Sequence, residues 1–91
     1  MDAYQKVVAF DRGLKEGDRV AARWTWNFGN YCDTGIVVKL NRKSVRVRID
    51  NGVSYGRDGS LPAGHVVSVP RTSNLDSWSW NNGVFPAECG T

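Results

Sequence analysis

The chain has 91 residues, a formal charge of +3 and 41% hydrophobic content, which supplies one small core and leaves no room for a second domain. No run approaches the roughly 18 to 20 apolar residues of a membrane span. The start, Met1-Asp2-Ala3-Tyr4-Gln5-Lys6, lacks the basic and apolar stretches of a signal peptide, so the expected compartment is the cytoplasm.

Residues 2–11 set Val7, Val8, Ala9 and Phe10 among polar groups, a pattern for a short strand or a helical turn. Gly13 and Lys15-Glu16-Gly17-Asp18 read as a turn. A strand follows at residues 19–25, with Val20, Ala22 and Trp24 alternating against Arg19, Ala21 and Arg23. At period two, Trp24, Trp26 and Phe28 are expected to share one face. Asn27, Gly29, Asn30 and Asp33 then predict a loop.

The second strand is expected at residues 34–40, with Ile36, Val38 and Leu40 pointing one way and Val37 and Lys39 the other. Asn41-Arg42-Lys43-Ser44 has hairpin length. Residues 45–50 alternate most cleanly, with Val45, Val47 and Ile49 inward and Arg46, Arg48 and Asp50 outward. Glycine-dense turns surround a brief strand at residues 53–55, and residues 65–69 form a further strand stopped by Pro70. The segment 71–91 carries Leu75, Trp78, Trp80, Val84 and Phe85, too apolar for a solvated tail. It is expected to lie back on the rest, with Trp78 and Trp80 against Trp24 or Trp26, or in a joint aromatic patch that docks a partner. About five short strands and little helical period predict an all-β domain, a small barrel at residues 17–70 with an aromatic-rich C-terminal extension packed on it.

Gly17-Asp18-Arg19-Val20, Asp33-Thr34-Gly35-Ile36-Val37-Val38-Lys39-Leu40 and Ser44-Val45-Arg46-Val47-Arg48-Ile49 resemble the SH3-like barrels of the KOW and Tudor type. The resemblance spans residues 17–70. KOW-type barrels contact RNA or protein, and Tudor-type barrels hold methylated side chains in an aromatic cage. By position, the resemblance assigns Trp24, Trp26, Phe28 and Tyr31 to the first long loop of such a cage and Tyr55 to its far wall. Asp50 and Asn51 are its candidate polar members. Gly17-Asp18-Arg19-Val20 is also similar to the opening of the plasmid-encoded, trimethoprim-insensitive dihydrofolate reductases. Their Val-Gln-Ile-Tyr signature is missing from Gly64-His65-Val66-Val67-Ser68-Val69.

Charge is uneven along the chain. From Arg19 to Arg48 there are seven basic residues against Asp33 alone, and the remainder holds five basic against eight acidic. Such a segment makes either a solvated sheet face or a face for an anionic partner. Arg46 and Arg48 on one side of a strand, with Lys39, Arg42 and Lys43 nearby, are spaced for a polyanion. Arg23-Trp24-Thr25-Trp26-Asn27-Phe28-Gly29-Asn30-Tyr31 offers rings that either stack on a ligand or close the core.

No serine, cysteine or carboxylate set accompanies His65, which reads as structural or solvent-facing, so no catalytic residue is expected. Cys32 and Cys89 with one histidine fall short of four zinc ligands, and no metal or cofactor is expected. The predicted function is non-enzymatic recognition of an anionic partner, foremost nucleic acid, through Arg23, Trp24, Trp26, Phe28, Tyr31, Lys39, Arg42, Lys43, Arg46, Arg48 and Tyr55. The alternative is an adaptor or inhibitor, of a size suited to a small viral protein, whose aromatic patch meets an acidic partner protein.

Overall fold

Three inward side chains of one strand, Val45, Val47 and Ile49, anchor the interior of the computed structural model, which describes residues 3–71 and 81–87. They belong to β3 (Ser44–Ile49), each is essentially inaccessible, and Arg46 and Arg48 between them are exposed. Burying each of the three contributes about 1.5–3 kcal/mol. β1 (Arg19–Trp26) adds Val20, Ala22 and Trp24 to the same cluster.

β2 (Gly29–Leu40) lies between β1 and β3 and contributes Val37, with Leu40 packed alongside. The expected phase of β2 needs correction, because Val37 points inward and not opposite to Leu40. Val37 pairs with Val47 and Leu40 with Val45, so three steps on β2 match two on β3. A bulge at Val38 absorbs the extra residue and inverts the alternation. Gly35, just before it, sits where a Cβ would collide with the Arg48 carbonyl and the Val47 side chain.

The short β4 (Val53–Ser54) and β5 (Ser60–Leu61) pair with each other around a 3-10 turn, Gly56–Asp58. β6 (Val66–Pro70) and β7 (Gly83–Pro86) complete an antiparallel sheet in the order β6-β3-β2-β1-β7. The sheet curls until its two edges approach each other, forming a half-barrel, and the fold is a small all-β barrel. In the C-terminal segment, Val84 enters the main cluster from β7. Trp78 and Trp80, expected beside Trp24 or Trp26, lie outside the described residues.

The N-terminal segment forms α1 (Ala3–Arg12), resolving the choice between strand and helical turn. Phe10 and, just beyond the helix, Leu14 reach the main cluster, while Val7 packs with Ala21 and Phe85 in a smaller one. Ala21 is therefore buried, although it alternates with the core residues of β1. Asp11, fully buried, receives Arg71 Nε at 3.2 Å. The same guanidinium donates to the carbonyls of Asp11 and Asn41, tying the helix to the β2–β3 turn. No helix among the described residues is long and apolar enough to cross a membrane.

Candidate functional site

All the sequence-predicted residues but Arg23 fall into two groups, toward opposite ends of β2. The first gathers at the β1–β2 hairpin. Trp26 pairs with Gly29, so the connection is a two-residue turn of Asn27 and Phe28, with φ of 46° and 67°. The long loop expected there is absent. Positive φ at both central residues is the mirror-image turn whose twist matches the strands it joins, which lets β1 and β2 run to the tip. Phe28 consequently leaves the face it was expected to share with Trp24 and Trp26, and its ring is fully exposed at the apex.

Behind the tip, four rings make a continuous cluster. Trp24 is buried, and its indole nitrogen donates to the Tyr55 hydroxyl at 2.8 Å. Trp26 stacks on Tyr55 with centroids 5.6 Å apart, and Tyr31 meets Tyr55 edge-on at 4.6 Å. Tyr31 also lies parallel to Trp24, at 6.5 Å. Trp26 remains half exposed beside these contacts.

The cluster forms one wall of an open groove of about 520 Å³, lined by Trp24, Trp26 and Tyr55 on one side and by residues 65–68 of β6 and its approach on the other. This is the mouth of the half-barrel. β7 pairs with β1 only as far as Arg23, and beyond it the Asn82 side chain accepts the Thr25 amide hydrogen bond. Asp58 enters the groove from the 3-10 turn, its Oδ2 accepting a 2.8 Å bond from Asn27 Nδ2.

Asp50 and Asn51, candidates for the polar part of a cage, are engaged elsewhere. Asp50 accepts from Thr34 Oγ1 and forms an ion pair with Arg19. Asn51 donates through its amide nitrogen and side chain to Asp33, which also receives Gly52 N–H. Asp33 is thereby a clamp for the β3–β4 turn. His65 is exposed and its backbone, not its ring, makes the recorded bonds to Ile49 and Pro62.

The second group is basic and faces outward. Lys39 and Arg46 are direct cross-strand partners, Arg48 projects from the same side of β3, and Arg42 and Lys43 sit on the β2–β3 turn. All five are exposed, and none forms an ion pair among the described residues. Arg23 is separate from them, with its guanidinium 4.6 Å from the Phe85 ring centroid. From Tyr31 to Lys39 is roughly 25 Å of strand at 3.3 Å per residue, and the rings lie on the inner side of the sheet.

Comparison with protein families, curated proteins and solved structures gives no match to this chain. The site therefore rests on its own geometry.

The sequence reading missed Asn27, Asp58 and the groove side of β6. Asn27 was visible as a turn residue, but its bond to Asp58 joins positions 31 apart. No periodicity carries such a contact.

Proposed function

We propose that the protein is a non-enzymatic nucleic-acid-binding module of the cytoplasm that engages phosphates through Lys39, Arg42, Lys43, Arg46 and Arg48. The observation that carries this reading is the cluster of five exposed side chains of one sign with no acidic partner among the described residues. Lys39 opposite Arg46 is a like-charge cross-strand pair, which costs stability in the free protein and is relieved when an anion lies across it. Arginine also matches phosphate oxygens bidentately, and a row of such residues follows a backbone better than a single anion.

The aromatic residues are a distinct element in this reading. Trp26 and Phe28 lie beyond the basic face and are not required for the phosphate contacts. Anisotropy of labelled single- and double-stranded oligonucleotides, titrated at low and physiological salt, tests the proposal. Binding that weakens steeply with salt supports it through counterion release. Absence of binding at low salt contradicts it and leaves an acidic protein as the partner of the same face.

A further inference from the structure

The seam of the half-barrel has the parts of a strand-accepting site. Among the described residues β6 is an edge of the sheet, with β3 as its one neighbour. Ile49 N–H donates to the His65 carbonyl at 2.9 Å, and Val47 and Val45 face Val67 and Val69. In an antiparallel pair alternate residues exchange both bonds. His65, Val67 and Val69 therefore use the β3 side, and the N–H and C=O of Val66 and Ser68 point to the opposite side, where no strand pairs with them among the described residues. That side is the groove. Residues 65–69 carry no lysine, arginine or carboxylate to discourage pairing, and Pro70, which has no N–H to donate, ends the accepting edge after Ser68.

The opposite wall supplies selectivity. Trp26 is half exposed and Val66 is 42% exposed, an apolar rim on each side. Among the lining residues the one carboxylate is Asp58, and there is no lysine or arginine. Asn27 occupies Asp58 Oδ2 and fixes the carboxylate beside the Trp26 strand end, while Oδ1 has no partner among the described residues. Trp26 and Asp58 line the same groove, and an indole face and a carboxylate each attract a cation, because ring quadrupole and full charge act in the same direction. On a protein of net charge +3, this groove is a local acidic site.

We propose that the groove binds an extended peptide segment of a partner protein, added as a strand to the free edge of β6, with an arginine or lysine side chain directed between Trp26 and Asp58. Main-chain bonds to Val66 and Ser68 provide affinity, and the cation-accepting pocket provides the choice of sequence. The site differs from the basic face in position and in the sign of its charge, so it stands or falls independently of the nucleic-acid reading.

The test uses an end-capped peptide of alternating valine and threonine with one central arginine, titrated against the full chain while tryptophan fluorescence is followed. Two control peptides replace the arginine by glutamate or methylate the backbone nitrogens on the edge that would face β6. The arginine peptide is expected to bind about tenfold or more tightly than the glutamate peptide, and N-methylation to abolish binding. Asp58→Asn should remove most of the preference for arginine, and Trp26→Ala should weaken binding with the fold retained by circular dichroism. The double variant Arg46→Gln, Arg48→Gln should bind the peptide as the unaltered chain does. Equal binding of arginine and glutamate peptides, indifference to N-methylation, or no binding at millimolar peptide overturns the proposal. Displacement of bound peptide by a short oligonucleotide through the groove also overturns it.

Discussion

The indole nitrogen of Trp24 and the hydroxyl of Tyr55 meet at 2.8 Å although 31 residues separate them. This bond joins the inner end of β1 to the approach of the 3-10 turn, and the Trp26–Tyr55 and Tyr31–Tyr55 ring contacts converge on the same tyrosine. Tyr55 is thus the keystone of one groove wall. Tyr55→Phe keeps the ring contacts and deprives the Trp24 N–H of its acceptor, which should cost about 1–3 kcal/mol in denaturant unfolding. Tyr55→Leu should cost more, since the ring contacts go too. Equal stabilities for the two variants would mean that the stacking contributes nothing.

Arg71 and Asp11 invite a stronger effect. Asp11 is fully buried, and Arg71 binds both its carboxylate and its carbonyl. Arg71→Met leaves a buried carboxylate without its guanidinium and should destabilise the fold by about 3–5 kcal/mol. Asp11→Asn in the Arg71→Met background should recover part of that loss, because the buried charge that Arg71 balanced is then gone. Urea unfolding of the two variants checks both statements.

Phe28 occupies a backbone conformation with φ of 67° that costs a bulky L-residue about 1–2 kcal/mol. Its ring makes no return through burial, being fully exposed. Phe28→Gly, which creates the Asn-Gly pair preferred in such turns, should raise stability by about 1 kcal/mol and the melting temperature by about 4–8 °C. A fall in melting temperature would show that the ring supports the hairpin.

Gly35 should tolerate no side chain. A methyl group there meets the Arg48 carbonyl and Val47, so Gly35→Ala should force β2 and β3 apart and cost about 1–3 kcal/mol. Amide exchange should show the loss centred on the β2–β3 ladder, and unchanged protection there would contradict the close approach.

How far such features were legible in the sequence depends on how local their causes are. β3 was plain because valine, arginine, valine, arginine and isoleucine alternate without interruption. β2 was misphased because Val37 and Val38 are equally apolar, and only pairing with β3 decides which one bulges outward. The hairpin tip escaped notice because phenylalanine stands where glycine normally marks such a turn. Val7 and Phe10 in α1 and Leu14 just beyond it have helical spacing, but the run Val7-Val8-Ala9-Phe10 is just as compatible with a strand.

The candidate site divides the same way. The outward row of Arg46 and Arg48 follows directly from strand alternation. That the aromatic residues lie on the other side and at the other end of β2 depends on the curl of the whole sheet. Asp58 reaches the aromatic wall through a turn whose position no local pattern specifies.

The central claim concerns the basic face, and the most direct measurement is the salt dependence of oligonucleotide affinity for the unaltered chain and for the Arg46→Gln, Arg48→Gln double variant. If all five cations engage phosphates, log K against log salt should have a slope of about −4.5 for duplex and −3.5 for single strands. The double variant should flatten that slope by about 1.8 and 1.4, respectively. Parallel lines for the two proteins, or no binding by either at low salt, would contradict the account.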